Sequence, residues 1–163
     1  EQTMQWVLTF FRREAKEHNI AVSLKTKGEP FLFHCDRGGL QQIFVNLLNN
    51  AFAAMDNDDS LDILIRYERS ETVEITVSDT GCGIPKEEIH NIFEPFFTIK
   101  DKPSGTGLGL YVTFGIIKEM GGNIFVDSTL GKGTRFKVLL PATHECLPED
   151  DLALSGEDSE NTA

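Results

Sequence analysis

The sequence predicts an α+β fold, a two-layer sandwich in which helices cover one face of a mixed, mostly antiparallel sheet. Segments with helical periodicity are interspersed with shorter segments that alternate apolar and polar residues. The shorter segments occur mainly in pairs separated by turn residues, which is typical of hairpins. With 163 residues, of which 40% are hydrophobic, the chain is long enough to bury one domain core.

The first half of the chain predicts two helices and two short strands. Residues 1–18 are amphipathic and predict the first helix, and residues 20–24 alternate as a strand does. Residues 31–35 predict a second strand. The strongest helix signature runs from residue 40 to residue 55, and Asp36 is a suitable N-cap for that helix.

The second half predicts two hairpins with helices between them. Residues 61–67 and 72–77 alternate with period two and predict the first hairpin. The elements expected after it are a short helix at residues 86–93, a helix at 108–120 that ends at Gly121 and Gly122, and a hairpin of strands at 123–127 and 134–140.

Charge and cysteine content exclude several classes of protein. The formal net charge is -11, so no nucleic-acid partner is expected, because its phosphates would be repelled. Residues 142–163 are rich in acids, contain no Lys or Arg, and are predicted to be a disordered acidic tail. The three cysteines are far apart, which predicts free thiols rather than a disulfide framework or a metal site.

Five segments rich in asparagine, glycine or phenylalanine stand out along the chain. In chain order they are NLLNNA (46–51), DTGCGIP (79–85), IFEPFFTIK (92–100), GTGLGL (105–110) and GKGTRF (131–136). They do not form a P-loop, because Gly131-Lys132 lacks the glycine five residues earlier. They do not form a GxGxxG loop either, because Leu110 occupies the last glycine position.

The five segments, in this order, resemble the ATP-binding catalytic domain of sensor histidine kinases, which belongs to the GHKL superfamily and has the Bergerat fold. The resemblance covers residues 1–141, and residues 92–100 are most similar to kinases of the nitrogen-regulation type. It implies a domain that binds ATP and Mg²⁺ and donates the γ-phosphate to a histidine on a separate dimerisation domain. The catalytic residues that it implies are Asn46 and Lys100, and the nucleotide-binding residues are Asn50 (also the metal ligand), Asp79, Gly81, Gly83, Ile84, Phe93, Gly105, Thr106, Gly107, Leu108, Gly109, Leu110 and Thr134.

Several of these residues suit that chemistry on physical grounds. Asn46 and Asn50 share one helix face, where the carboxamide oxygen of Asn50 suits Mg²⁺. The carboxylate of Asp79 only accepts hydrogen bonds, so it suits the exocyclic amine of adenine and not the carbonyl of guanine. Gly81 and Gly83 allow the backbone to turn closely against a flat base. Simpler interpretations are that the asparagines are solvated and that Asp79 only forms a turn.

The second glycine segment predicts a phosphate site. Gly105, Gly107 and Gly109 lead into a helix, and the N–H groups at a helix start can hold phosphate oxygens. The alternative is a hinge without a ligand. Residues 94–104 would then form a lid over the nucleotide. The aromatic residues near this lid either anchor it or belong to the core; they are Phe93, Phe96 and Phe97.

Two positions differ from the pattern of the family. Many members carry Lys and Tyr three and four residues after the metal asparagine, where this sequence has Ala53 and Ala54. Lys100 is therefore the candidate that contacts the γ-phosphate. Related ATP-hydrolysing enzymes carry a water-activating glutamate at the position of Asn46. Because Asn46 cannot act as a base, the resemblance implies slow hydrolysis and transfer to a protein acceptor.

The resemblance also implies an organisation and partners. Residues 1–18 would end a dimerisation hairpin or form a connector, and residues 19–141 would form the catalytic domain. The expected partners are the histidine-bearing dimerisation domain of the same protein and a response-regulator receiver domain. The full protein is expected to be a homodimer, and this fragment a monomer. The domain is expected in the cytoplasm, as part of a protein that can be membrane-anchored.

Three other functions were compatible with the same superfold. A serine kinase of the anti-sigma or mitochondrial type is disfavoured by the long phenylalanine segment at residues 92–100. A degenerate scaffold is disfavoured because Asn50, Asp79 and the glycines are all present. A structural ATPase module is disfavoured because the glutamate is absent at position 46.

Overall fold

The computed structural model describes residues 1–30, 36–68, 72–98 and 106–141. Helices cover one face of a five-stranded sheet, so the predicted α+β sandwich is confirmed. In chain order the elements are α1 (Gln2–Glu17), β1 (Ala21–Lys27), α2 (Arg37–Ala54), β2 (Ser60–Glu68), β3 (Thr72–Asp79), α3 (Gly109–Glu119), β4 (Asn123–Thr129) and β5 (Gly133–Pro141).

The strands form one mixed sheet in the order β1-β2-β3-β5-β4. Strands β1 and β2 are parallel, and the other three pairs are antiparallel. Both predicted hairpins, β2–β3 and β4–β5, are confirmed. Strand β1 extends three residues beyond its predicted end, because its parallel pairing with β2 continues to Lys27.

Alternate residues of the three central strands are buried under the helices, as the period-two patterns predicted. The register aligns their apolar side chains across the sheet, for example Ile63, Val77 and Phe136. The next inward-facing position toward the end of β3 is polar, where Asp79 lies opposite Thr134 and Thr134 lies opposite Ser128 of β4. We call Asp79, Thr134 and Ser128 the polar row.

Helix α2 lies between α1 and α3 and contacts both, as well as strands β3 and β5. Its apolar stripe, including the fully buried Ile43 and Leu48, forms the centre of the core. Helix α3 ends at Glu119, and the chain turns away at Gly121, which has a φ of 70°. The Gly122 N–H then donates to the Ile117 carbonyl at 2.8 Å. The predicted helix stop is therefore confirmed.

Helix α1 buries Met4, Val7 and Phe11 in the same core as the sheet. The Phe11 ring stacks on Phe52 of α2, with ring centroids 5.0 Å apart. A helix that belongs to the domain itself would pack in this way. The division into residues 1–18, 19–141 and 142–163 stays a prediction.

The short helix predicted at residues 86–93 is wrong. This segment forms consecutive turns, with N–H groups donating three residues back, from Glu88 to Pro85 and from Asn91 to Glu88. A segment this short has little helical stability of its own, and of its residues only Ile92 is buried. The strand predicted at residues 31–35 and the acidic tail lie outside the described residues. Within the described part of the chain, no helix combines the length and apolar composition needed to cross a membrane.

Asp36 caps α2, as its sequence predicted. Its two carboxylate oxygens accept hydrogen bonds from the backbone N–H groups of Gly38 and Gly39, at 3.0 and 2.8 Å. These two donors have no partner inside the helix, so the cap stabilises the helix that carries the asparagine segment.

We therefore expect Asp36→Ala to lower the free energy of unfolding by about 1 kcal/mol, because two helix-start N–H groups lose their acceptor. Asp36→Asn is the matched control, since Asn caps helices as well as Asp and should change stability little. Urea unfolding followed by circular dichroism measures both variants. Equal losses for Ala and Asn would contradict capping by the side chain.

Candidate nucleotide-binding site

The three side chains of the polar row lie at one end of the inner face of the sheet, and each is at most 8% exposed. One carboxylate oxygen of Asp79 (Oδ1) accepts hydrogen bonds from the backbone N–H groups of Gly81 at 3.0 Å and Thr134 at 3.2 Å. The Thr134 hydroxyl lies 2.9 Å from the Ser128 hydroxyl. Three strands therefore hold one polar surface beside the first glycine segment.

Burial raises the pKa of Asp79 above its ordinary value of 3.8, because the charged carboxylate loses solvation. Hydrogen bonds from the N–H groups of Gly81 and Thr134 oppose this effect and lower the pKa, whereas the nearby Asp59 carboxylate raises it. The net direction is upward. A buried acceptor in this state is stabilised by a ligand that donates hydrogen bonds to it.

The structure gives a reason for the glycines of the first segment that the sequence did not show, and their predicted role beside a flat base stays a prediction. A Cβ at Gly81 would overlap the Ala54 carbonyl at the end of α2, and a Cβ at Gly83 would overlap the Thr129 carbonyl. The segment thus packs against the protein's own backbone. Cys82 fixes it on both sides, donating its N–H to Ala54 O at 2.9 Å and accepting from Gly131 N–H at 2.7 Å.

The two asparagines of α2 have different environments. Asn46 is fully engaged, because its Nδ2 donates to the Gly109 carbonyl and the Thr113 hydroxyl, and its Oδ1 accepts from Gln42. It thereby joins α2 to the first turn of α3. Asn50 is half-buried, and its Nδ2 is buried without a hydrogen-bond partner in the described part of the chain. Buried polar atoms without a partner are rare, and a ligand is one explanation.

The second glycine segment is bound to the phenylalanine segment. Phe96 donates its N–H to the Gly107 carbonyl at 2.9 Å, and a Cβ at Gly107 would overlap the Phe96 backbone. Phe93 packs on Phe114 of α3, with ring centroids 5.5 Å apart. Phe96 itself is 74% exposed and has a φ of 64°, so it does not belong to the core.

The structure brings several of the predicted residues together in two groups. Asp79, Gly81, Ile84 and Thr134 are linked by hydrogen bonds through the polar row, and Gly109 meets Asn46 across the two helices. Thr106, Leu108 and Leu110 lie around the start of α3. Gly105, Lys100 and most of the predicted lid lie outside the described residues, so their roles stay predictions.

Ser128 was missed by the sequence analysis. Its Oγ accepts from Ile84 N–H at 2.8 Å and donates to the Gly133 carbonyl at 2.9 Å, in addition to its contact with Thr134. The sequence does carry a signal for its inward orientation. Ser128 follows Ile124 and Val126 at every second position of β4, so all three side chains are on the same face of the strand.

A cavity of about 420 Å³ lies elsewhere, between α1 and β1. Leu8, Phe11, Ile20 and Phe52 form its apolar lining, and none of the predicted nucleotide residues takes part. The polar row is the better candidate for the site, because the buried carboxylate and the first glycine segment meet there.

Comparison with known proteins agrees with this geometry. A family model described as histidine kinase-, DNA gyrase B-, and HSP90-like ATPase matches residues 35–144. Sporulation kinase A of Bacillus subtilis (strain 168) is 39% identical over 135 residues, which are 83% of this chain and 22% of that protein. The chain therefore spans about a fifth of the length of this curated relative.

Solved structures give the same result. The catalytic domain of histidine kinase ThkA superposes with a TM-score of 0.77 at 30% identity, covering 86% of this chain and 91% of that one. ThkA in complex with the response regulator TrrA superposes with a TM-score of 0.73 at 28% identity, covering 87% and 40%.

The turn between β4 and β5 offers a matched pair of glycine substitutions. Gly131 and Gly133 both have positive φ, of 75° and 114°. A Cβ at Gly131 meets nothing within 4 Å, whereas a Cβ at Gly133 would overlap the carbonyl oxygen of Asp79. We expect Gly131→Ala to cost about 1 kcal/mol from backbone strain alone.

Gly133→Ala should cost clearly more and should also abolish nucleotide binding, because it displaces Asp79. Urea unfolding and calorimetric titration with ATP measure the two effects. Similar losses in both variants would show that the close approach at Gly133 is unimportant.

The raised pKa of Asp79 predicts a pH dependence of stability. The folded protein keeps the Asp79 proton to a higher pH than the unfolded chain, so ionisation lowers stability as pH rises from 3.8 through the folded pKa. Asp79→Asn removes this loss. Its stability relative to the unmodified protein should therefore increase with pH across that window and be greatest at neutral pH.

Urea unfolding without nucleotide, from about pH 4 to pH 8, measures this difference. Asp127→Asn, which changes an exposed carboxylate on β4, is the control for the substitution itself. A constant difference between Asp79→Asn and the unmodified protein at every pH would contradict the prediction.

Proposed function

The chain belongs to the family of histidine kinase-, DNA gyrase B- and HSP90-like ATPases, and from this membership we propose the reaction that it serves. It is an ATP-binding domain of the histidine kinase kind. We propose that it binds ATP together with Mg²⁺ and donates the γ-phosphate to a histidine on a separate dimerisation domain. The observation that carries the proposal is the buried Asp79 carboxylate in its frame of backbone donors.

Asp79 is proposed to recognise adenine. Its Oδ1 is already engaged by the N–H groups of Gly81 and Thr134. Its other oxygen, Oδ2, is proposed to accept a hydrogen bond from the exocyclic amine. A carbonyl at that position of the base would face the carboxylate acceptor to acceptor, so a guanine nucleotide is disfavoured.

Asn50 fits a site for Mg²⁺ and phosphate. Its buried Nδ2 has no partner in the described part of the chain and would donate to a phosphate oxygen. The carboxamide oxygen at the other end of the same group is a hard ligand of the kind that Mg²⁺ prefers. When bound, Mg²⁺ would neutralise charge on the phosphates.

The start of α3 is proposed to hold the phosphates. Helix α3 begins at Gly109 and has no side-chain cap, so its first N–H groups are available as donors. Asn46 fixes this helix start through the Gly109 carbonyl. Lys100 is proposed to contact the γ-phosphate in place of the lysine that Ala53 replaces. Because Asn46 is not a base, the site should hold ATP with little hydrolysis.

The partners are proposed from the family and the relatives. The γ-phosphate acceptor would be a histidine on the dimerisation domain of the same protein, and the full protein would be a homodimer working in the cytoplasm. ThkA is described in complex with a response regulator, which supports a receiver domain as the next acceptor. A kinase of the nitrogen-regulation type remains our prediction from residues 92–100.

A matched pair of adjacent asparagines tests the proposed metal and phosphate site. Asn50→Ala should weaken ATP binding about tenfold or more in the presence of Mg²⁺, because a charge-assisted hydrogen bond and a metal ligand are lost. Its effect should be smaller without Mg²⁺, when the hydrogen bond is lost but no metal ligand is. Asn49→Ala, on the exposed side of the same helix turn, should bind like the unmodified protein.

Calorimetric titration with ATP, with and without Mg²⁺, measures these affinities, and GTP is the nucleotide control. Failure of the unmodified protein to bind ATP would overturn the proposed function. Equal losses for Asn50→Ala with and without Mg²⁺ would overturn the metal assignment alone.

A further inference from the structure

The hydroxyl of Ser128 uses its entire hydrogen-bonding capacity inside the protein. A serine hydroxyl has one hydrogen to donate and two lone pairs to accept. Ser128 donates its hydrogen to the Gly133 carbonyl at 2.9 Å and accepts from Ile84 N–H at 2.8 Å. One lone pair remains, and the only other group at hydrogen-bonding distance that the structure describes for it is the Thr134 hydroxyl, 2.9 Å away.

This arrangement sets the direction of the Thr134 hydroxyl. Because Ser128 has no further hydrogen, Thr134 must be the donor of the bond between them. The hydrogen of Thr134 then points at Ser128, and its oxygen presents only lone pairs to any ligand. Thr134 lies directly opposite Asp79 in the sheet register, and both side chains are on the inner face.

We propose that Ser128 is a positioning residue that determines base specificity, by making Thr134 a hydrogen-bond acceptor so that Asp79 and Thr134 form a paired acceptor surface. The proposal rests on the proposed function, because it concerns the same nucleotide site. Two acceptors side by side favour an amine, which carries two hydrogens. Both acceptors repel a carbonyl oxygen that takes the place of the amine. The pair therefore excludes a base with that carbonyl more strongly than Asp79 alone does.

Ser128 also fixes the geometry of this surface. Its bond to Ile84 N–H joins β4 to the first glycine segment, and its bond to Gly133 O joins β4 to the turn before Thr134. At 6% exposure Ser128 is shielded from solvent. Because its hydroxyl has no bonding capacity left for a ligand, it acts through Thr134 and not by contact with the base.

The test compares ATP with inosine triphosphate, which carries a carbonyl in place of the amine and a hydrogen on the neighbouring ring nitrogen. In Ser128→Ala the Thr134 hydroxyl is free to turn and donate to that carbonyl. We expect the preference for ATP over inosine triphosphate to fall about tenfold, with ATP affinity itself falling about threefold to tenfold. A merely structural role would weaken both nucleotides equally and leave the ratio unchanged.

Two variants define the mechanism further. Ser128→Thr keeps the hydroxyl and should restore the ratio. Thr134→Val removes the hydroxyl that Ser128 orients, so adding Ser128→Ala to it should change the ratio by less than about twofold. Ser78→Ala is the matched control, because Ser78 is on the outer face of β3, where its hydroxyl accepts from Arg135. It should leave both affinities unchanged.

The outcomes separate the inference from the proposed function. An unmodified protein that binds neither nucleotide overturns both. An unmodified protein that prefers ATP, with an unchanged ratio in Ser128→Ala, overturns the inference alone. If Ser128→Ala does not fold, Thr134→Val decides, since an unchanged preference for ATP in that variant also overturns the inference.

Discussion

The arrangement of the site depends on one buried carboxylate. Asp79 ends the central strand β3, and the backbone N–H groups of Gly81 and Thr134 bind one of its oxygens. The bond to Gly81 fixes the point where the first glycine segment leaves the sheet. The bond to Thr134 holds the start of β5 against the end of β3. Gly133 has no side chain because its backbone approaches Asp79 directly. The same constraint brings Ser128, the end of α2 and the β4–β5 turn together, so strand pairing and ligand recognition share one set of contacts.

Two features of this site disfavour the nucleotide-free fold, and bound ATP would satisfy both. The pKa of Asp79 is raised by burial, so its charge is poorly stabilised, and an amine donor would improve it. The Nδ2 of Asn50 is buried with no partner among the described residues, and a phosphate oxygen would provide one. Next to the polar row, the buried apolar side chains of Ile63, Val77 and Phe136 are aligned across three strands. Their burial stabilises the fold and offsets the two unfavourable terms. Ligand binding should therefore stabilise the fold strongly.

Much of the fold followed from the sequence because its segments have clear periodicities. The stripe from residue 40 to residue 55 and the alternation in β2, β3 and β5 each predicted an observed element. The turns at 86–93 were taken for a helix, because local pattern alone does not show how little of that segment is buried. Asp79 and Asn50 were selected because a carboxylate suits an amine and a carboxamide oxygen suits Mg²⁺, and those roles stay predictions. Ser128 was missed because its role depends on the register between strands. The close approach of Gly81 to Ala54 and of Gly83 to Thr129 was missed because these neighbours are distant in sequence.

The central claim is that this domain holds ATP for transfer to a histidine. The most direct measurement uses ATP labelled at the γ-phosphate and the full-length protein, in which we propose a histidine-bearing dimerisation domain. The account predicts a label on the protein that is lost in acid and kept in base, as a phosphohistidine requires, and that Asp79→Asn prevents. A label that survives acid would indicate a serine acceptor instead. ATP binding with no label on the protein would contradict the kinase assignment and leave a nucleotide-binding scaffold.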